Sequence, residues 1–261
     1  MDLHLKGKTA VVTGAGKGIG LAITQALAEE GAYVIAGSRT RTADIEVLEA
    51  DGNVTFVGVD LSSEKGAAAL VAVAAERGGI DVLINNVGAV TPRTGGFVSV
   101  ADTDWESSLN LTFMSAVRTI RAALPEMERR GGGSIVTVSS VNAFLPDPAV
   151  IDYSAAKAAL TNLCKSLSKE LASKGIRVNT VSPGPVRTAL WLAEGGVAST
   201  LAEVGGVSEQ EVVDSAAAGS ETGRFTLPEE VADLVLFLAG DRAANVTGAD
   251  FVIDGGLVKT L

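Results

Sequence analysis

The apolar, β-branched run Lys8–Thr13 (KTAVVT) leads straight into Thr13-Gly14-Ala15-Gly16-Lys17-Gly18-Ile19-Gly20, and an Ala/Leu-rich helical stretch, Ile19–Glu30, follows. Few folds accept a strand, four glycines in seven positions and a helix in that order. Residues without a Cβ permit a tight turn and a close backbone approach to a ligand. The helix start adds free N–H groups and the positive end of the helix dipole. Together these suit a dinucleotide pyrophosphate. The run is not a Walker loop, because GxxxxGK followed by Ser or Thr does not occur. It also departs from GxGxxG, since Ile19 holds the sixth position counted from Gly14. A tight strand-to-helix connection without a ligand is the plain alternative. Placement after the first strand favours dinucleotide binding.

The rest of the chain repeats the alternation. Tyr33–Gly37, Val54–Val59, Asp81–Asn85, Ser134–Ser139, Ile176–Val181 and Phe251–Ile253 read as strands. Helical stretches lie at Arg41–Ala50, Glu64–Arg77, Asp102–Arg130, Tyr153–Lys174 and Pro228–Ala239. The strands are continuous apolar runs, which implies burial on both faces of a parallel sheet. The expected fold is therefore α/β: a doubly wound, Rossmann-type parallel sheet with helices on both faces. No linker or repeat divides it, so residues 1–261 are expected to form one domain. Ala193–Arg224 breaks the rhythm with six Gly, six Ala, no aromatic residue and one basic residue. A surface insertion is the bland reading. A substrate lid over roughly 189–226 is the functional one.

Composition narrows the chemistry. Acidic residues outnumber basic ones 31 to 21, a net charge of −10, and aromatics are 4%. That argues against a nucleic-acid partner, which needs clustered Lys and Arg or stacking platforms. One cysteine, Cys164, and one histidine, His4, leave no Ser-His-Asp triad, no Cys-His dyad, no internal disulfide and no His- or Cys-rich metal site. No apolar run reaches the roughly 18 residues of a membrane span. The N-terminus carries no secretory h-region, so no membrane association and a cytoplasmic location are expected.

The spacing TGxxxGxG resembles the classical short-chain dehydrogenase/reductase family, and further motifs follow in order. Asn85-Asn86-Val87-Gly88 is similar to that family's NNAG element, with Val in place of Ala. Asn110 matches its helix-four asparagine. Ser139-Ser140 and Tyr153-Ser154-Ala155-Ala156-Lys157 match its serine and YxxxK. Pro183-Gly184-Pro185-Val186-Arg187-Thr188 resembles its PG-x-x-x-T element. Val246-Thr247-Gly248 and Asp254-Gly255-Gly256 resemble its C-terminal signature. The ordered set is far more specific than YxxxK alone.

Tyr153 and Lys157 lie four apart on an expected helix and share a face. A phenol with a reference pKa of about 10 is a poor proton donor near neutrality, and a neighbouring ammonium is expected to lower it. The other tyrosine, Tyr33, falls in an expected buried strand. Ser140 ends the fifth strand, thirteen residues before Tyr153, where its hydroxyl can bond a substrate oxygen. Without a histidine to activate it, it is not expected to be a nucleophile. The resemblance implies hydride transfer between a nicotinamide and a carbonyl carbon, with Tyr153 giving the proton. It also implies that Asn110 supports a water leading to Lys157, that Lys157 holds the nicotinamide ribose, and that Val186 and Thr188 hold the carboxamide end.

Cofactor choice is read at the end of the second strand. NAD sites place a carboxylate there for the ribose hydroxyls. Ser38 stands in that place, Arg39 follows, and Lys17 lies in the glycine turn, so NADP(H) is expected. Asp60-Leu61 resembles the family's adenine-contacting pair. The cofactor set is thus Gly14, Lys17, Gly18, Ile19, Gly20, Ser38, Arg39, Asp60, Leu61, Asn86, Gly88, Tyr153, Lys157, Pro183, Gly184, Val186 and Thr188.

Asn142, Phe144, Asp147, Val150, Leu190 and Trp191 are substrate-side candidates, each equally able to be core. Arg129, Arg130, Lys169 and Lys174 could dock an acyl carrier, a minority reading given the overall acidity. The expected substrate is a small carbonyl compound or alcohol. The resemblance implies a homotetramer or homodimer. A dehydrogenase oxidising a hydroxysteroid or polyol, and a catalytically silent NADP-binding sensor, are the rivals. Enoyl reductases of related fold are disfavoured, because their Tyr–Lys spacing is longer than four.

Overall fold

The computed structural model describes residues Met1–Thr260; Leu261, the last residue of the expected 1–261 domain, lies outside the described residues. The strands are β1 (Thr9–Thr13), β2 (Tyr33–Ser38), β3 (Val54–Gly58), β4 (Val82–Asn85), β5 (Gly133–Val138), β6 (Ile176–Pro183) and β7 (Asp250–Ile253). The α-helices are α1 (Gly18–Glu29), α2 (Ala43–Ala50), α3 (Glu64–Glu76), α4 (Asp102–Ser108), α5 (Ser115–Arg130), α6 (Ile151–Leu171), α7 (Ala189–Leu192), α8 (Val197–Gly205), α9 (Glu209–Ala218) and α10 (Pro228–Ala239). All seven strands are parallel, in the order β3-β2-β1-β4-β5-β6-β7. Among the described residues, no helix is long and apolar enough to cross a membrane.

The continuous apolar runs divide by parity. Val12, Ile84, Val136 and Val181 join Ile23 and Leu27 of α1 and Val235 and Leu238 of α10 in one core. Val11, Leu83, Ile135 and Val178 join Leu70 of α3, Ile120 and Met127 of α5 and Leu160 of α6 in the other. Successive side chains of a strand point to opposite faces, so both must be apolar when helices cover both. The chain winds one way from β1 to β3 and the other way from β4 onward. That reversal opens a crevice at the carboxyl ends of β1 and β4.

Two expectations change. Asp102–Arg130 is not one regular helix: a π-turn over Leu109–Met114 separates α4 from α5, and the Ser115 N–H donates to the Asn110 carbonyl five residues back. The second change concerns Ala193–Arg224, read from the sequence as a surface insertion or a lid with no helix assigned to it. It holds α8 and α9, and Ser208 and Glu211 cap α9 reciprocally through the Glu211 N–H at 3.2 Å and the Ser208 N–H at 2.8 Å.

Gly20 sits where α1 crosses the end of β1. A Cβ there would lie 2.1 Å from the Gly14 carbonyl oxygen and 2.5 Å from Asn86 Nδ2. Gly20→Ala should therefore force backbone apart and cost about 1–3 kcal/mol, the usual range for overpacking. Urea unfolding measures this; a midpoint equal to wild type would show that the crossing has slack.

Candidate active site

The crevice is built around Thr13. Its hydroxyl donates to the Ile84 carbonyl at 3.2 Å and accepts the Asn86 N–H at 2.9 Å. The Asn86 amide nitrogen reaches back to the carbonyls of Thr13 at 3.2 Å and Gly14 at 3.3 Å. Asn86, expected to touch cofactor, thus ties the ends of β1 and β4 together. Gly18 has φ 54°, and a Cβ on it would stand 3.2 Å from Thr188 Cγ2, so the PG-x-x-x-T segment lies against the glycine turn. Gly184 holds that segment in place, its N–H donating to Ile253 at 3.0 Å, while Pro183 closes β6. Val186 is buried, and the backbone of Arg187 bonds Thr226 at 2.9 Å.

The residues fit an anionic dinucleotide. α1 begins at Lys17 without a side-chain cap, whereas α2 and α3 are capped by Thr42 and Ser63. Its first-turn N–H groups thus face the crevice with no side chain to accept them. Ile19 in that turn is half-buried. Ser38 Oγ donates to the Thr40 carbonyl at 2.9 Å, and a Cβ on Gly16 would meet that Oγ at 2.8 Å. The floor beneath the second strand's end is therefore tight and lacks a carboxylate. Arg41 pairs with Glu49, but among the described residues Arg39 and Lys17 form no ion pair, and both are exposed. Asp60 is held below the usual carboxylate range by hydrogen bonds from Ser62, with a smaller pull from Arg39. Leu61 is buried in the core, so Asp60 is the solvent-facing member of that pair.

Tyr153, Lys157 and Ser140 meet where α6 passes the end of β5. Lys157 is 3% exposed, and its ammonium donates to the Val138 carbonyl at 2.7 Å. It stands 5.6 Å from the Tyr153 ring centre, and a Cβ on Gly88 would be 3.5 Å from it. Burial pushes Lys157 down to about 8, with Cys164 opposing. Burial pushes Tyr153 up to about 12, and the neighbouring Ser140 hydroxyl pulls the other way. The Tyr153 side chain keeps some solvent contact. The expected lowering by Lys157 is thus overruled: desolvation is the larger effect on the phenol. The other tyrosine, Tyr33, is half-buried with Arg77 stacked 3.4 Å from its ring centre, well removed from Ser140 in its contacts.

Ser140 Oγ also contacts Asn142 Oδ1 at 3.2 Å, and Asn142 Nδ2 reaches Ser154 Oγ at 3.4 Å. Asn110 lies in the π-turn with its amide nitrogen on the Ser62 carbonyl at 3.2 Å. Phe144 lines a groove of about 420 Å³ with Lys165 and Asp250 that includes neither Tyr153 nor Ser140. Trp191 packs edge-on against Phe225, centroids 5.2 Å apart, while Leu190 beside it is partly exposed. Three of the four candidate carrier-docking charges are paired, Arg129 with Glu126, Arg130 with Asp81 and Lys174 with Glu128, whereas Lys169 forms no ion pair among the described residues. Sequence reasoning missed Arg93, which bonds Asp104 at 2.9 Å and Asp152 at 2.6 Å. Arg93 and Asp152 are 59 residues apart, and nothing in the sequence pattern couples them.

A family model described as Enoyl-(Acyl carrier protein) reductase matches residues 14–258. The chain is 36% identical over 270 residues to human Dehydrogenase/reductase SDR family member 4, covering 98% of this chain and 90% of that one. It is 35% identical over 261 residues to 3-oxoacyl-(acyl-carrier-protein) reductase FabG of Thermotoga maritima, covering 98% and 100%. Among solved structures, L-sorbose reductase from Gluconobacter frateurii complexed with NADPH and L-sorbose superposes with a TM-score of 0.92 at 34% identity, over 100% of both chains.

The depressed lysine has a measurable consequence. Lys157 falls from 10.5 to about 8, so between those values the native state binds fewer protons than the unfolded chain. Its contribution to stability therefore rises with pH through that window, by about 1 kcal/mol per pH unit. Chemical denaturation of wild type and Lys157→Met across pH 8–10 should show the rise only in wild type. Parallel curves would place the titration elsewhere.

Proposed function

The chain belongs to the short-chain dehydrogenase/reductase family, and from that premise we propose an NADP(H)-dependent carbonyl reductase, reversible as an alcohol dehydrogenase. The observation that carries this is the assembly of Ser140, Tyr153 and buried Lys157 beside Gly88, at the carboxyl end of the sheet. The nicotinamide, when bound, supplies or accepts the hydride. The protein's part is to orient the carbonyl, exclude water and deliver a proton. Burial keeps Tyr153 protonated at neutral pH, the form that reduction requires. Its hydroxyl gives the proton to the substrate oxygen, and Ser140 hydrogen-bonds that oxygen as charge develops. Lys157, fixed by the Val138 carbonyl, would hold the ribose of a bound cofactor. Asn110 supports the water that returns the proton. The Tyr–Lys spacing of four supports carbonyl over enoyl reduction.

A small, free carbonyl compound suits the surface better than a carrier-bound one, because three of the four candidate docking charges, Arg129, Arg130 and Lys174, are already paired and only Lys169 is left. The sorbose reductase likeness makes ketoses the first class to try. The helices of 189–226 serve as the cover over the substrate side, with Trp191 and Phe225 as its apolar seat.

Tyr153→Phe keeps the ring and removes only the proton donor. It should bind NADPH normally and lose about 10²–10⁴-fold in turnover. Near-normal turnover of an active ketone would remove Tyr153 from the role of acid. For the cofactor, Ser38 brings no carboxylate, and Arg39 and Lys17 are free to meet the 2′-phosphate. A charge-assisted bond is worth about 1.5–3 kcal/mol before solvent screening. NADPH should therefore bind tens to hundreds of times tighter than NADH (about 1.4 kcal/mol per tenfold). Equal dissociation constants would reject this reading of the end of β2.

A further inference from the structure

The first turn of α6 carries Tyr153, and a 3-10 turn over Pro148–Val150, capped by the Asp147 side chain, leads directly into it. Helix starts fray unless they are fastened. A second fastening comes from across the crevice. The chain leaving β4 passes Gly88 and reaches Arg93, whose backbone N–H donates to the Ala149 carbonyl at 2.6 Å. The Arg93 guanidinium then closes on Asp152, the residue before Tyr153, with Nε at 3.2 Å and Nη2 at 2.6 Å from Oδ2. Its third nitrogen bonds Asp104 Oδ1 at 2.9 Å, and Asp104 Oδ2 accepts the Ala101 N–H that opens α4. One side chain thereby joins the β4 loop, the start of α4 and the start of α6.

The pair is deeply placed. Arg93 is 15% exposed and Asp152 is 3% exposed, with Asp152 Oδ1 buried and without a partner among the described residues. Buried ion pairs contribute little net stability, because desolvation offsets their attraction, and apolar pairs of similar volume often do as well. An orphaned carboxylate oxygen increases that cost. The pair is therefore poorly explained as a stability device. What it does provide is a fixed geometry for the residue next to the phenol.

We propose that Arg93 and Asp152 are positioning residues for Tyr153, holding the first turn of α6 so that the phenol stays within reach of the reacting oxygen. The proposal rests on the reading of Tyr153 as the proton donor. A misplacement of about 1 Å can cost on the order of a hundredfold in rate. Because neither residue touches the glycine turn, cofactor affinity is separate from this function.

The decisive variant is the double replacement Arg93→Met with Asp152→Leu, which fills the space without charge; the near-isosteric Asp152→Asn accompanies it. L-sorbose, dihydroxyacetone and diacetyl serve as ketone probes, with NADPH and its C4-deuterated form. Both variants should fold, and NADPH dissociation constants should stay within about twofold of wild type. Turnover per cofactor-binding site should drop roughly ten- to a hundredfold in the double variant and less in Asp152→Asn. The deuterium effect on kcat should increase, because the chemical step becomes limiting. A purely structural role predicts fewer competent molecules with an unchanged isotope effect. Wild-type turnover and isotope effect in either folded variant overturn the proposal. So does a double variant that cannot fold while Asp152→Asn behaves as wild type. Tyr153→Phe, run alongside, separates the two readings: an active Tyr153→Phe removes the catalytic reading itself, whereas an inactive one with unaffected Arg93 and Asp152 variants removes only this inference.

Discussion

The hydroxyl of Thr13 is the point on which the crevice depends. Parallel strands that wind away from each other leave a seam with no helix directly above it. At that seam the backbone groups of β1 and β4 must be satisfied locally. Thr13 donates to Ile84 and accepts from Asn86, and the Asn86 side chain returns two bonds to the end of β1. With those groups satisfied inside the protein, the first-turn N–H groups of α1 stay free for a ligand. The absence of a cap at Lys17 is the other half of the same arrangement.

Desolvation governs the ionisation of the groups above the seam. It drives Lys157 and Tyr153 in opposite directions, the amine toward neutrality and the phenol toward retention of its proton. A simple pairwise picture, in which an ammonium lowers the pKa of a neighbouring phenol, neglects the solvent both groups have lost. The Val138 carbonyl steadies the ammonium, yet it is a neutral dipole and compensates only part of that loss.

Much of this was legible in the sequence, and what was not has identifiable causes. Strands buried on both faces announce themselves as unbroken apolar runs, and Val11-Val12 or Leu83-Ile84 split between the two cores as such runs require. Gly18, Gly20, Ser140, Tyr153 and Lys157 were recognisable from residue type and spacing. The π-turn at Asn110 was not, because an i+5 bond leaves no periodicity of its own. α8 and α9 were obscured by glycines, although Ser208 with Glu211 three residues on was a visible capping signal. The Arg93–Asp152 contact is created by topology alone, so no local pattern could have disclosed it. The tyrosine shift depends on burial, a property of the folded interior.

The π-turn also sets a phase relation. An α-helix advances about 100° per residue. One additional residue in the ladder therefore offsets every later side chain by about that angle. Upstream, α4 buries none of its residues; downstream, α5 turns Ala116, Thr119, Ile120, Ala123 and Met127 inward in regular steps. The rod is in effect two gratings joined out of step, only the second of them aligned to the sheet. Asn110 stands at the joint, and the count of residues through the turn fixes where its amide meets the Ser62 carbonyl.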